Sequence, residues 1–401
     1  PIQDRAINHV LRGEDVVGIA NTGTGKTAAF LIPLINKVLT GKGERVLIMV
    51  PTRELAIQVD EVLRKIGHSL GVRTVVLIGG ASMYQQLQSL RRNPHIIVAT
   101  PGRLMDHLKQ KTFSLEKIKI VVLDEADRMF DIGFAPQIKQ ILQAAPTERQ
   151  TMLFSATMPS EIAEIAGRFM KMPLRIEVAP QGTASANVEQ EVFILSKEVK
   201  MQLLDKMLVD NPGTVLIFSR TKHGAKKITA NIRAMGHTVT EIHSNRSLAQ
   251  RKDAMSGFKS GKYRVLVATD IAARGIDVSG ISLVVNYDLP DCSEDYVHRI
   301  GRTGRAGNTG KAVSFATPDQ RMDIKHIERL IRKTLPIIAL PVLPPRRASI
   351  PVFRDRDNNF RGHGHANVRA HAFAGASNNV SDKAGNYPPR KKSNNFHRRF
   401  R

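Results

Sequence analysis

One pattern limits what this chain can fold into more than any other. Short β-rich runs, apolar on both faces in the first half, alternate with stretches of helical periodicity, and the series occurs twice. In the first half the runs fall at 16–20, 46–50, 75–78, 96–100, 120–124 and 151–155. In the second they fall at 192–195, 215–219, 239–243, 265–269, 283–287 and 312–316. A strand apolar on both faces must be covered on both faces, which is how parallel strands flanked by helices are built. The fold class is therefore α/β, with two domains, each a mostly parallel sheet covered by helices. The expected boundaries are 1–178 and 191–336, joined by a linker at 179–190 that contains Pro180, Gly182 and Ser185. A helical stretch at 320–334 closes the second domain before Pro336. From 337 to 401 Arg, Asn, Gly and His replace the aliphatic residues, so a disordered basic tail is expected there.

Composition narrows the function classes. No apolar run approaches the ~18 residues that would span a membrane, and nothing resembles a signal peptide, so a cytoplasmic protein without a membrane partner is expected. The single cysteine, Cys292, excludes a disulfide framework or a cysteine-based zinc site. It sits among acids, where a catalytic thiol is not expected. A formal net charge of +24 points to a polyanionic partner. In the tail, Arg361, Arg390, Lys391, Lys392, Arg398 and Arg399 suit phosphates, and Phe360, Tyr387, Phe396 and Phe400 suit base stacking, as in a tethering arm for RNA. His363 and His365 lack further ligands and are not read as a metal site.

Three local motifs carry chemistry. Ala20-Asn21-Thr22-Gly23-Thr24-Gly25-Lys26-Thr27 follows an apolar run and opens a helical stretch, the context of a phosphate-binding loop. Gly23 and Gly25 let backbone N–H groups turn toward phosphate oxygens, Lys26 reaches the β- and γ-phosphates, and the Thr27 hydroxyl suits Mg²⁺. The run 120–123 ends in Asp124-Glu125, a pattern for a cation-holding acid followed by a water-orienting one. Far along the chain, His298-Arg299-Ile300-Gly301-Arg302-Thr303-Gly304-Arg305 supplies guanidinium groups that a phosphate-binding loop lacks. The layout suggests an ATP-hydrolysing site assembled between two domains.

The letters Asp124-Glu125-Ala126-Asp127, with the motifs around them, resemble the DEAD-box RNA helicases of superfamily 2 over about residues 1–335. The loop and helix wording is most similar to the bacterial RhlE-type subgroup. The resemblance implies two RecA-like domains and a set of roles. Asp124 would hold Mg²⁺, with Glu125 as general base and Arg302 and Arg305 as arginine fingers. Thr22, Gly23, Thr24, Gly25, Lys26 and Thr27 would bind ATP, with Asp277 on the ribose. Gln3 matches the glutamine that reads adenine; the aromatic that precedes it in the family is not part of this sequence. Asp127, Ser155, Thr157 and His298 would couple the nucleotide site to its surroundings. RNA would be contacted by Thr52, Arg53, Gly80, Thr100, Gly102 and Arg103 in the first domain, and by Arg220, Gln250, Arg251 and Thr269 in the second.

These residue types suit sugar and phosphate rather than base edges, so binding without sequence preference is expected. The implied activity is RNA-dependent ATP hydrolysis with local, non-processive unwinding of short duplexes, by a monomer acting on RNA, ribosomal particles or mRNA-decay assemblies. A DNA helicase on the same engine and an ATP-gated RNA clamp or annealing protein are the alternatives.

Overall fold

The computed structural model of the chain describes residues 1–20, 24–41, 44–178, 187–273, 278, 280–304 and 309–345. Each apolar run forms a strand. The first lobe contains β1 (Val16–Ile19), β2 (Arg45–Met49), β3 (Thr74–Leu77), β4 (Ile96–Ala99), β5 (Ile118–Asp124), β6 (Gln150–Ser155) and β7 (Leu174–Glu177). The second contains β8 (Val188–Ile194), β9 (Val215–Phe218), β10 (Val239–Ile242), β11 (Val265–Ala268), β12 (Leu283–Asn286) and β13 (Gly310–Ala316). The pairings within both sheets are parallel.

The strand orders are β3-β4-β2-β5-β6-β1-β7 and β10-β11-β9-β12-β13-β8. The second order repeats the first with each strand number advanced by seven, β7 being the addition. The two lobes are thus one winding used twice, though their letters do not repeat. Apolar residues on both faces of each sheet join separate cores: Val46, Ile48, Val122 and Phe154 on one face of the first, Leu47, Met49, Val121 and Leu153 on the other.

Register decides where the first lobe can bind anything. Ile19 lies beside Ser155, and Asp124 beside Phe154, so the carboxyl ends of β1, β5 and β6 finish flush. Three loops therefore emerge side by side from one edge, the place where parallel sheets bind ligands. A helix at Ile2–Leu11 packs on the helix Lys26–Thr40. It buries Ile2, Ala6 and Val10, one helical turn apart, and so carries Gln3 to that same edge.

The domain boundaries differ from expectation at two points. Residues 179–186 of the expected linker lie outside the described residues, but β8 begins at Val188, inside it. β8 is an edge strand whose first half alternates buried Val188 and Gln190 with Glu189 and Glu191, so only its end, from Val192, reads as an apolar run. The tail was expected to start at 337. Instead Ile338 N donates to Val192 O at 2.8 Å, Leu343 packs on the second core, and Gln202 Nε2 donates to Pro344 O at 2.9 Å. Backbone pairing at Ile338 and the packing of Leu343 extend the lobe where prolines suggested its end. The remaining tail, 346–401, lies outside the described residues.

Candidate nucleotide site and nucleic-acid interface

At the carboxyl edge of the first lobe, Gly25 precedes the helix Lys26–Thr40 with φ 90°, a left-handed conformation that glycine adopts without strain. A Cβ at that position would collide with the Gln3 side chain, whose Nε2 lies 3.4 Å from Gly25 O. Gln3 therefore rests against the phosphate-binding loop itself. Lys26 is buried, and its Nζ donates to Ala20 O at 2.7 Å, closing the loop upon its own backbone. Thr27 is half-buried one residue on. Thr22 and Gly23 lie outside the described residues.

Asp124 is buried at the end of β5, its Oδ1 accepting from Glu125 N at 3.0 Å. Burial, reinforced by the Glu125 charge and opposed by Lys26, pushes its carboxyl up to about 7. A carboxylate held so unfavourably is suited to a divalent cation. Among the described residues no group of three or more His, Cys, Asp or Glu could hold a metal ion. An Asp124 carboxylate with the Thr27 hydroxyl is instead the sparse hard-oxygen set that suits Mg²⁺, which retains water and takes phosphate oxygens as ligands. Glu125 has φ 51° and ψ 51°, an uncommon conformation for a residue with a side chain. Its Oε2 accepts from Arg128 Nη1 at 3.2 Å.

Asp127 is the hub of the next layer. Its Oδ2 accepts from Ala156 N (3.0 Å), Thr157 N (2.9 Å) and the Thr157 hydroxyl (3.0 Å), while its own N–H donates to Ser155 Oγ at 3.2 Å. The expected trio of Asp127, Ser155 and Thr157 is thus brought together. The β5–β6 register makes this possible by starting both loops at one level.

The second lobe contributes His298 and Arg302. Both line a small cavity with Phe218, Asp270, Asp295 and Arg299, together with Arg128 from the first lobe. Arg302 is buried, with Nε donating to His298 O at 3.1 Å. Arg299 fixes the cavity wall: its guanidinium grips Asp270 through bonds of 2.5 and 2.7 Å and lies 5.0 Å from the Phe218 ring centre. Arg305 and Asp277 lie outside the described residues.

The RNA candidates occupy equivalent positions in the two lobes. Thr52 after β2 and Thr100 after β4 each precede a helix, and Thr269 after β11 does likewise. Thr52 also caps its helix, Oγ1 accepting from Leu55 N at 3.2 Å. Arg53 lies against Gly79 and Gly80; Gly80 has φ 79°, and a Cβ there would strike the Arg53 guanidinium. Arg103 braces the same turn, Nη1 donating to Ala81 O at 3.2 Å, and Gly102 sits one residue before it at the helix start. Arg220 is held by Asp291 at 3.2 Å and by Leu289 O at 3.3 Å.

Gln250 has a different setting from the one expected. Its Oε1 accepts from Ser247 N at 3.0 Å while Ser247 Oγ accepts from Gln250 N at 3.3 Å. This capping box engages the amide oxygen in starting its helix. Arg251 is buried and pairs with Glu54 of the first lobe at 2.8 Å. Glu54 directly follows Thr52 and Arg53, but the sequence reading does not single it out. Neither Arg128 nor Arg299 was singled out: Arg299 pairs with Asp270, distant in sequence, whereas Arg128 stands three residues after Glu125, a helical spacing within reach of the letters. Cys292 is half-buried and its thiol is pushed up to about 12, chiefly by burial, the opposite of a nucleophile. No helix among the described residues is long and apolar enough to cross a membrane.

Comparison with known proteins gives this geometry a context. Residues 1–165 match the family model for DEAD/DEAH box helicases, and residues 199–307 match that for the helicase conserved C-terminal domain. The chain is 44% identical over 345 residues to the DEAD-box ATP-dependent RNA helicase CshA of Bacillus cereus, covering 86% of this chain and 66% of that one. It is 43% identical over 345 residues to CshA of Geobacillus kaustophilus, covering 86% and 74%. The matched part is thus just under two thirds of the B. cereus relative. Among solved structures, S. cerevisiae Dbp5 bound to RNA and ADP BeF3 is similar at a TM-score of 0.76 and 30% identity, covering 84% of this chain and 88% of that one. The parallel α/β winding of both lobes is RecA-like, as the resemblance implied.

Proposed function

Because the chain belongs to the DEAD-box helicase family, we propose that it is an RNA-dependent ATPase that converts ATP and water to ADP and phosphate and locally unwinds short RNA duplexes. The observation that carries this reading is the flush edge of β1, β5 and β6, which sets Lys26, Asp124, Glu125 and the Asp127–Thr157 layer beside one another. Lys26 leaves Ala20 O to meet the phosphates. Thr27 and Asp124 hold Mg²⁺, which when bound offsets phosphate charge. Glu125 accepts the proton of the attacking water, and Arg302 balances charge on the transferring group from the second lobe. Thr52, Arg53, Thr100, Arg103, Arg220 and Thr269 grip sugar and phosphate, so RNA is bound without sequence preference. Closing the lobes strains one strand and frees a few base pairs.

The test is ATP hydrolysis with and without single-stranded RNA. Wild type is expected to be stimulated strongly by RNA and weakly by DNA. Glu125→Gln is expected to lose at least about a hundredfold in rate with nucleotide binding retained, the usual scale of a lost general base. Hydrolysis equally fast without RNA would count against the reading.

A pH dependence follows from Asp124. With no cation bound, its carboxyl is half-protonated near pH 7, and cation binding requires the ionised form. Apparent Mg²⁺ affinity should therefore fall about tenfold per unit as pH drops below 7 and level off above it. Mg²⁺ titrations in the presence of ADP at about pH 6 and about pH 8 check this. A flat response would show that Asp124 does not govern the cation.

A further inference from the structure

The residue that follows the acidic cluster belongs structurally to both lobes. Arg128 is 1% exposed and among the largest fully buried side chains of the described residues. Its Nη1 holds Glu125 Oε2 at 3.2 Å. The remaining walls of the cavity it lines, Phe218, Asp270, Asp295, His298, Arg299 and Arg302, come wholly from the second lobe. Arg128 Nη2 is buried there without a hydrogen-bond partner. One guanidinium therefore touches the base of the proposed reaction and is covered by the wall that carries the arginine finger.

We propose that Arg128 is the positioning residue for Glu125 and that lobe closure makes it effective. This rests on the reading of Glu125 as general base. An ion pair in open water restrains its partners weakly, because solvent screens the attraction and long side chains keep their rotamer freedom. The same pair with water excluded is held far more firmly. When the second lobe covers Arg128, the Glu125 carboxylate becomes fixed in one orientation; when the lobe withdraws, the pair is solvated and the carboxylate is released. Glu125, left-handed at φ 51°, precedes the helix Ala126–Asp131 without a side-chain capping bond, which leaves its carboxylate to Arg128. Closure would then prepare the base as well as deliver the finger, so hydrolysis in the open form would lack both.

The test compares wild type, Arg128→Met and Arg128→Lys in the full chain. It measures kcat and KM for RNA-stimulated ATP hydrolysis, and lobe closure by fluorescence transfer with a non-hydrolysable ATP analogue and RNA. Arg128→Met is expected to lower kcat about 30- to 100-fold, with KM and the closed fraction within about twofold of wild type. Arg128→Lys, which keeps a charge near Glu125, should recover about tenfold of that loss. A wild-type kcat in Arg128→Met overturns the proposal. So does a loss explained by failed closure, which would make Arg128 a docking residue, and so does the absence of rescue by lysine. Should Arg128→Met fail to fold, Arg128→Lys decides alone: a kcat about three- to tenfold below wild type at unchanged KM supports the proposal, and either a wild-type kcat or a loss of about 30-fold or more overturns it. If wild type itself shows no RNA-stimulated hydrolysis, the parent reading fails, and this one with it.

Discussion

Arg302→Ala is expected to slow RNA-stimulated ATP hydrolysis by roughly 10³-fold or more while ATP still binds, because a guanidinium at a transferring phosphoryl group supplies roughly 10³–10⁵ in rate, about 4–7 kcal/mol. Arg302 is well placed for such a role. It is 3% exposed, its Nε is tied to His298 O, and it lines the cavity that Arg128 enters from the opposite lobe. A side chain already ordered loses little freedom when its target forms, which is what preorganised charge requires. Arg302→Lys should recover only part of the rate, since a point charge cannot reproduce the planar fork. Rates at saturating RNA, set beside binding of a fluorescent ATP analogue, separate the two effects. Hydrolysis near wild type in Arg302→Ala would remove the composite site.

How much of this could be read from the letters depends on how far apart the partners lie. Lys26, Asp124 and Glu125 were legible because the glycine loop before Lys26 follows an apolar run and the two acids end another, and each run announces the strand that positions them. The Asp127–Thr157 contact depends on two strands sharing a register, which periodicity does not encode; only the family resemblance pointed to it. Edge strands were the least visible. β7 has buried Ile176 between exposed Arg175 and Glu177, so nothing there looks like a core run. Gln250 shows the opposite: serine followed three residues later by glutamine is a capping signal in plain view, and the structure forms that cap. The cross-lobe partners Glu54 and Arg251 belong to segments nearly half the chain apart. No local pattern could join them, although Arg251, and Arg53 beside Glu54, were both read as RNA contacts.

That cross-lobe pair carries the second large effect. Glu54 and Arg251 are 7% and 8% exposed, with Oε2 and Nη2 2.8 Å apart. Yet Glu54 Oε1 and Arg251 Nε have no hydrogen-bond partner. Burial pushes the Glu54 carboxyl above its ordinary range against the pull of Arg251, and lowers Arg251. An incompletely bonded buried pair adds little net stability, but removing one member strands the other charge away from water at a cost of about 3–5 kcal/mol. The penalty exists only where the lobes meet, since either side chain is solvated once they part. Glu54→Ala is therefore expected to weaken RNA binding in the presence of a non-hydrolysable ATP analogue by about a hundredfold to a few thousandfold, at ~1.4 kcal/mol per factor of ten. RNA binding without nucleotide should change little. Arg251→Met should behave likewise. The double variant Glu54→Leu with Arg251→Met should lose less than either single change, because no charge is left unpaired beside Leu248, which packs on the first-lobe core. Losses that simply add in the double variant would mean that the two side chains act separately and that the lobes are not held by this pair.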